Sequence, residues 1–373
     1  MDTIHKLKKG RSSFMKLVGI DIAKYRHSVV IIDKETGEAL CKPFFFNNDN
    51  DGFKTLFDEL SRHSKEELLI GMEDTGHYSF NLMIALLDKD YKLAMINPLT
   101  TKNLRKASLS SSKNDKLDAI LITRALMDKD YYRLIDKEDT KIWEAKELVR
   151  FRHNLTARLN QVKNNLQRNI DIVFPEYNEL FKNKYTYSYI NILKLYPDAY
   201  TIAKTDIRSL RKCIKYTNGL KAEDLKEKAK ISIGKHSPSI AFIIRSLISE
   251  IELIESQIDE VNKKIEELAI TQNSSITSIP GIGIISGTSI LAEIGDIHKF
   301  NSAASLISYT GVCPYTNESG TYKASQTKIT KKGSKYLRRT LYQVILPVIR
   351  FNPVFSEYYH LKRKQGKGHL CTL

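Results

Sequence analysis

The sequence has few cysteines and no long apolar segment. Four cysteines occur, Cys41, Cys213, Cys313 and Cys371, and no two of them have a Cys-x-x-Cys spacing. This pattern argues against a zinc site and a disulfide framework and favours reduced thiols. No stretch reaches the length of about 18 apolar residues that a membrane helix needs, and the amino-terminal segment lacks the apolar core of a signal peptide. We therefore expect a cytoplasmic protein with no membrane partner.

Acidic residues are scarce relative to basic ones. The chain has 43 Asp and Glu against 59 Lys and Arg, which gives a formal net charge of +16. Residues 301–373 contain twelve Lys or Arg and only two acids, Glu318 and Glu357. Such a concentrated basic excess is typical of proteins that bind nucleic-acid phosphates. The 373 residues are enough for two or three domains with sizeable cores.

The first 130 or so residues alternate strand and helix patterns. The segments KLVGIDIAK, HSVVIIDKETGEAL and CKPFFF predict three antiparallel strands, with a reversal at Gly37. Helix-like and strand-like segments then alternate, ending with a helix from about Asn114 to Leu126. The order predicts a mixed α/β sheet.

Four acidic residues fall at notable positions of this predicted sheet. Asp21 lies in the first apolar strand, where a charge is costly unless it is paired or metal-bound, and Glu73 ends another apolar run. Asp115 and Asp118 are three apart near a helix start and therefore share one face. Strand ends at the surface and the helix dipole offer ordinary explanations for each. Together the four favour a site for two Mg²⁺ ions that act on a phosphodiester.

The middle of the chain is predicted to be helical. Apolar residues recur there at alternating spacings of four and three, which predicts a coiled-coil seam of about four heptads. The seam comprises Ile240, Ile244, Leu247, Ile251, Ile254, Ile258, Val261, Ile265 and Leu268. An earlier apolar series, from Leu148 to Ile170, offers a partner within the same chain or in another chain. Basic residues on that earlier helix predict a basic outer surface, for which solvated charge is the more common explanation and nucleic-acid contact the alternative: Arg150, Arg152, Arg158, Lys163 and Arg168.

A Pro-Gly-Ile-Gly segment follows the helical region. Gly281 and Gly283 precede a helix rich in small residues, as in a helix-hairpin-helix, whose backbone N–H groups bind phosphate. A plain turn before a helix is the alternative.

The order of these segments resembles one known family. GIDIAK, EDTGHY, INP, KNDKLDA, IPGIG, AEIGDIHKF, YTGVCP, ESG and ITKKGSKYLRR occur here with the spacing seen in insertion-sequence transposases of the IS110 type, relatives of the Piv DNA invertase. The resemblance runs from about residue 16 to residue 367.

The resemblance implies an α/β RNase H-like (RuvC-like) domain over residues 1–135 with an acid quartet formed by Asp21, Glu73, Asp115 and Asp118. It further implies a helical coiled-coil region over 136–272, and a mainly α domain over 273–373 with a helix-hairpin-helix-like element and a nucleophilic serine. The implied cofactor is Mg²⁺, in two ions that Mn²⁺ can replace. The implied partners are donor and target DNA, a structured bridge RNA, and further copies of the chain in a dimer or dimer of dimers.

Within the last of these regions, Ser319 stands at the position of the family's Ser-Gly motif and is the candidate nucleophile, with Ser325 as the alternative. A basic run follows that would hold phosphates near it. Its members are Lys328, Lys331, Lys332, Lys335, Arg338 and Arg339.

Two features depart from the family pattern. Asn114 stands where the family usually has Thr, and the chain ends at QGKGHLCTL, where relatives generally continue through another helix, so we expect a shortened copy. Three functions remain open: an RNA-guided recombinase, a metal-dependent nuclease or junction resolvase that uses water, and a decayed protein that binds nucleic acid without reacting.

Overall fold

The chain forms two compact units. The computed structural model describes residues 15–73, 76–107, 115–215, 219–271, 275–297, 300–313, 318–319, 322–323, 329–331 and 333–373. One unit comprises Met1–Trp143 with Gly295–Asn301, and the other comprises Glu144–Ile294 with Ser302–Leu373. The division into domains over 1–135, 136–272 and 273–373 remains a prediction.

The first unit is built on a six-stranded mixed sheet in the order β3-β2-β1-β4-β5-β6. β1 pairs with β2 in antiparallel fashion and with β4 in parallel, while β6 is an antiparallel edge beside β5. The mixed sheet predicted from the sequence is therefore confirmed. The strands are β1 (Lys16–Asp21), β2 (Arg26–Asp33), β3 (Phe44–Asn47), β4 (Leu68–Glu73), β5 (Leu93–Ile96) and β6 (Tyr132–Ile135).

Helices cover both faces of this sheet, which explains why its central strands are apolar almost throughout. One core packs the sheet against α1 (Asn50–Leu60) and α2 (Phe80–Asp88). The opposite core packs Leu17 and Leu69 against α4 (Asp115–Ala125). The helix α3 (Pro98–Ala107) packs beside α4.

Two glycines let α4 lie directly on the sheet. Gly19 of β1 and Gly71 of β4 are register partners. A Cβ on Gly19 would stand 2.2 Å from the backbone oxygen of Ala119, and one on Gly71 would stand 2.8 Å from the Leu126 side chain. The helix is therefore fixed at a separation that no larger residue at these positions permits.

Sequence patterns located α4 and every strand of the six-stranded sheet except β6, and they missed α3. The segment KLAMINP predicts a strand that ends at its proline, yet Pro98 is the first residue of α3. Proline is common at the first position of a helix, because a backbone N–H there would have no partner within the helix and its absence costs nothing.

The second unit is helical and contains two long helices, α5 and α10. Its helices are α5 (Lys137–Val173), which begins in the first unit, α6 (Tyr187–Leu195), α7 (Ala199–Lys204), α8 (Ile207–Cys213), α9 (Ala222–Ile231), α10 (Pro238–Thr271), α11 (Ile284–Ile294), α12 (Ala303–Thr310), α13 (Lys335–Phe351), α14 (Pro353–Lys364) and α15 (His369–Thr372). A two-stranded hairpin, β7 (Glu318–Ser319) and β8 (Tyr322–Lys323), lies between α12 and α13.

The apolar seam of α10 is buried within the chain. Ile254 and Ile265 belong to the same core as Val162 and Ile170 of α5. Polar contacts that link the two helices are Arg158 to Glu250 at 2.8 Å, Lys163 to Glu255 at 2.8 Å, and Arg152 to the Asn262 side-chain oxygen at 2.6 Å. The sequence left open whether the α10 seam pairs with α5 of the same chain or with another chain, and in this structure it packs against α5 of the same chain. Three of the basic α5 residues, Arg152, Arg158 and Lys163, are engaged in this pairing.

Among the described residues, no helix is long and apolar enough to cross a membrane.

Candidate functional site

The carboxyl ends of two adjacent parallel strands carry the first two predicted acids. Asp21 is the last residue of β1 and Glu73 the last residue of β4. The register pairs Ile20 with Met72, so the two acids follow at the same level. Side chains alternate between the faces of a strand, so these acids share the face of Gly19 and Gly71, the face that α4 covers. Both are half-buried.

The first turns of α4 supply the other two predicted acids. Asp118 is one residue before Ala119, which packs on Gly19 at the Asp21 end of β1. Its side chain is 13% exposed and accepts a hydrogen bond from Arg105 Nη2 at 2.5 Å. Asp115 opens the helix, but its side chain lies outside the described residues. The structure thus places Asp118 on the helix that packs over Asp21.

Helix α3 provides partners that sequence reasoning missed. Thr101 donates a hydrogen bond to Glu73 Oε1, and Arg105 forms the ion pair with Asp118. Thr101 and Arg105 are four residues apart and therefore share one face of α3. Two of the predicted metal ligands are in this way held by protein groups, and in the described part of the chain no three His, Cys, Asp or Glu side chains lie close enough together to hold a metal ion.

The donor set nevertheless fits a hard divalent cation. Carboxylate oxygens are the ligands that Mg²⁺ prefers. The face that bears Asp21 also carries a buried hydroxyl, Ser28 Oγ, with no hydrogen-bond partner among the described groups. Ser28 is the register partner of Asp21 across the β1–β2 pair. An unsatisfied oxygen beside a carboxylate is what a missing cation would leave.

Ser319, the predicted nucleophile, lies in the β7–β8 hairpin of the second unit. It is the register partner of Tyr322, so only Gly320 and Thr321 separate the paired residues in sequence. The base of this segment is tied by a hydrogen bond from Thr330 N to Cys313 O at 2.9 Å. The side chain of Ser319, and the whole of Ser325, lie outside the described residues.

The basic run after the hairpin is only partly described. Lys331 and Lys335 are exposed, and Lys331 has a φ of 54°, a left-handed conformation that is rare for lysine. Arg338 donates to the Thr310 carbonyl oxygen at 3.0 Å, so part of its guanidinium holds the end of α12. Arg339 is half-buried, whereas Lys328 and Lys332 lie outside the described residues.

The two glycines of the Pro-Gly-Ile-Gly segment have different surroundings. Gly281 has a φ of 100°, and a Cβ there would stand 2.6 Å from the α13 backbone at Pro347 and Val348. Gly283, just before α11, has no atom within 4 Å of the corresponding position. Gly281 therefore has a packing role against α13, while Gly283 is open to an approaching group.

A buried carboxylate that the sequence did not single out ties the second unit together. Glu293, near the end of α11, has a fully buried side chain. Its Oε1 accepts from Arg150 Nε at 2.6 Å, and its Oε2 accepts from Arg150 Nη2 at 3.1 Å and from Ser334 Oγ at 2.6 Å. Ser334 is the N-cap of α13. Glu293 thus connects α5 and α11 to the start of the helix that carries the basic run.

The charge state of Glu293 follows from these contacts. Burial raises its pKa, but the hydrogen bonds from Arg150 and Ser334 and the positive charge of Arg150 outweigh burial, and the net pKa is lowered. The carboxylate is therefore ionised at neutral pH. A charge is tolerated there because Arg150, 143 positions away in sequence, and Ser334 both donate hydrogen bonds to it.

A mixed sheet with acids at the ends of its central strands is the arrangement expected of a DEDD-type domain, and the comparisons with known proteins give the class of the protein as a DNA transposase or recombinase, whose DEDD domain implies a divalent metal ion. A family model described as a transposase, DEDD_Tnp_IS110, matches residues 18–175, and the model of the transposase IS116/IS110/IS902 family matches residues 273–360. The chain belongs to the IS110 family of transposases.

Several curated proteins are similar to almost the whole chain. The pilin gene-inverting protein of Moraxella lacunata is 26% identical over 355 residues, covering 94% of this chain and 88% of the relative. The insertion element IS110 uncharacterized 43.6 kDa protein of Streptomyces coelicolor is 22% identical over 366 residues, covering 95% and 89%. The insertion element IS116 uncharacterized 44.8 kDa protein of Streptomyces clavuligerus is 23% identical over 367 residues, with the same coverage.

Proposed function

We propose that this transposase cuts and rejoins DNA through a covalent phosphoserine intermediate, with Ser319 as nucleophile and the acid quartet as its metal site. The observation that carries the proposal is the common position of Asp21 and Glu73 at the ends of adjacent parallel strands, under the helix that bears Asp118. The hairpin position of Ser319 supports it, because a serine beside the connection between two paired strands is well placed to meet a large substrate.

The quartet would hold the metal through oxygen atoms alone. Asp21, Glu73, Asp115 and Asp118 are the proposed ligands, for two Mg²⁺ ions that Mn²⁺ can replace. Bound there, the metal supplies charge stabilisation at the phosphate and lowers the pKa of a hydroxyl nucleophile. Arg105 and Thr101 orient two of the carboxylates through the contacts described above.

The proposed reaction conserves phosphodiester bonds. Ser319 Oγ loses its proton and attacks a backbone phosphorus, which forms an Oγ–P bond and releases one strand end as a hydroxyl that takes up a proton. A strand-end hydroxyl from the other duplex then attacks the phosphoserine, restores a phosphodiester and frees the serine. The number of phosphodiester bonds is unchanged, so no ATP is needed. No histidine neighbours Ser319 in sequence, which is why its activation is assigned to the metal.

The finer assignments of partners rest on the family resemblance and on charge. Donor and target DNA are bound through the basic run, chiefly Lys331 and Lys335 among its described members, and through the open backbone at Gly283 in a helix-hairpin-helix-like element. A structured bridge RNA directs the choice of site. The active assembly is a dimer or dimer of dimers, with the α5–α10 pair as a coiled-coil scaffold.

The test compares two serine variants on a nicked or phosphorothiolate substrate that traps the adduct. Ser319→Ala is expected to eliminate the covalent protein–DNA adduct. Ser325→Ala is the matched control in the same basic stretch. It is expected to keep the adduct but to bind DNA more weakly, because losing one hydrogen bond to a phosphate lowers the binding free energy by no more than about 3 kcal/mol. Proteolysis and mass mapping assign the modified peptide.

Other outcomes separate the alternatives. An adduct on Ser325, or one that persists in Ser319→Ala, moves the nucleophile elsewhere. Mg²⁺-dependent cleavage to free 3′-hydroxyl and 5′-phosphate ends, without an adduct in any variant, identifies a nuclease that uses water. Salt-sensitive binding with no product at all identifies a non-catalytic protein.

A further inference from the structure

Ser28 is a buried polar residue that the assignments above leave unexplained. It lies in β2 and is 1% exposed. Its hydroxyl oxygen has no hydrogen-bond partner among the described residues. Other buried hydroxyls of the first unit are satisfied: Ser79 Oγ donates to the Gly76 carbonyl oxygen at 3.0 Å, and Thr123 Oγ1 donates to the Ile120 carbonyl oxygen at 2.7 Å. An unsatisfied buried hydroxyl is costly and calls for a partner.

The register of the sheet shows where that partner would lie. Ser28 is the residue directly opposite Asp21 in the antiparallel β1–β2 pair. Directly opposed residues point to the same face, with their Cβ atoms about 4.5 to 5.5 Å apart. The Ser28 hydroxyl therefore lies on the face of Asp21 and Glu73, beneath α4, which contacts both β1 and β2.

The composition of that face makes the serine exceptional. Two and four residues further along β2, on the same face, stand Val30 and Ile32, both buried in the core under α4. Apolar packing alone would favour a third apolar residue at position 28. On this face of β2 the polar residues, Arg26 and Ser28, precede the apolar ones, and Ser28 is the buried one that lies opposite the predicted metal ligand Asp21.

We propose that Ser28 Oγ is a further oxygen donor of the divalent-metal site, acting on the hydrated ion that Asp21 holds. A neutral hydroxyl is a suitable ligand or water partner for a hard cation, and it adds no charge to a site that already contains four carboxylates. The inference rests on the proposed function, because it assumes that Asp21 is a metal ligand.

The experiment measures Mn²⁺ binding and stability in parallel on the full chain. Mn²⁺ affinity is determined by electron paramagnetic resonance of the free ion, without nucleic acid, and thermal unfolding is followed in EDTA. Ser28→Ala is expected to weaken Mn²⁺ binding about tenfold or more, the usual effect of removing a supporting group of a metal site. In EDTA its unfolding midpoint is expected to be unchanged or raised, because the hydroxyl has no protein partner to lose.

Two further variants keep the outcome unambiguous. Thr123→Val removes a buried hydroxyl of the same layer whose hydrogen bond lies within α4, and it should leave Mn²⁺ affinity unchanged. Asp21→Asn should abolish binding at the site. Wild-type Mn²⁺ affinity in Ser28→Ala, or a lowered midpoint in EDTA, overturns the role proposed for Ser28. Wild-type affinity in Asp21→Asn overturns the metal site itself, and with it the proposed function.

Discussion

Replacing Glu293 by glutamine tests whether a buried ion pair anchors the start of α13. The glutamine has nearly the same shape but no charge, and it has one acceptor oxygen where the carboxylate has two. Glu293 accepts three hydrogen bonds, two from Arg150 and one from Ser334. At least one donor therefore loses its acceptor in Glu293→Gln, and the new amide N–H faces another donor.

The expected loss of stability follows from the burial of the two partners. Hydrogen bonds to a charged group contribute about 1.5 to 3 kcal/mol each, and breaking a buried pair costs about 3 to 5 kcal/mol. Glu293 is fully buried, but the Arg150 side chain is 34% exposed, so water partly replaces what it loses. We therefore expect Glu293→Gln to lower the free energy of unfolding of the second unit by about 2 to 4 kcal/mol at pH 7.

The pH dependence has a definite sign. Because the folded-state pKa of Glu293 is lowered, its contribution is complete above the ordinary glutamate pKa of about 4.3 and is lost as the pH falls through the folded-state value. The stability difference between the two proteins should be constant near neutrality and shrink in acid. Urea unfolding followed by far-ultraviolet circular dichroism measures it, since the second unit supplies most of the helix.

A matched variant controls for surface charge. Glu255, the ion-pair partner of Lys163, has a side chain that is 48% exposed, so Glu255→Gln should lower the free energy of unfolding by no more than about 1 kcal/mol. Equal midpoints for Glu293→Gln and wild type at pH 7, or a difference that does not shrink in acid, would refute the reasoning.

Two further predictions concern packing. Gly19→Ala should displace α4, because the new Cβ would stand 2.2 Å from the backbone oxygen of Ala119; we expect it to lower the free energy of unfolding by about 1 to 3 kcal/mol, measured by thermal unfolding, and to reduce DNA cleavage. Gly283→Ala, with open space around it, should cost far less, and equal unfolding midpoints for the two variants would contradict the prediction. Ile254→Asp should unfold the second unit, because the Ile254 side chain is 1% exposed in the core between α5 and α10. Leu253→Asp, at a neighbouring side chain that is 59% exposed, should leave the unit folded. If Ile254→Asp stays folded but its mass in solution changes, the seam pairs between chains instead.

Local patterns were enough to predict most elements of the sheet. The apolar runs of β1 and β4 specify buried strands, and the acids at their ends, Asp21 and Glu73, are visible in the sequence as charges that interrupt or end apolar segments. Helix α4 is similarly recognisable. Helix α3 is not predicted, because Pro98 follows an apolar strand pattern and marks its end. The roles of Thr101 and Arg105, which lie on that helix, are therefore not recognisable from the sequence either.

The basic residues of α5 show the limit of charge patterns. From the sequence, Arg150, Arg158 and Lys163 belong to a basic helix surface, for which solvated charge and nucleic-acid contact are the two explanations. In the fold all three are paired with carboxylates of α10 or α11. A run of positive charge identifies possible phosphate ligands, but the acids that neutralise them are a hundred or so positions away and come close only when the helices pack.

The sequence by itself determined most elements of the first unit, though not α3 or β6, and also the positions of the four acids, the serine beside its glycine and the family. Each of these depends on residues close together in the chain or on their order. The tertiary structure alone decided that Ser28 faces Asp21, that Arg105 holds Asp118, that Gly281 packs against α13, and that Glu293 is paired with Arg150. Each of these contacts depends on strand register or on helix packing. Residues far apart in sequence meet there because burying apolar surface brings their elements together, and no local pattern encodes which of them will meet.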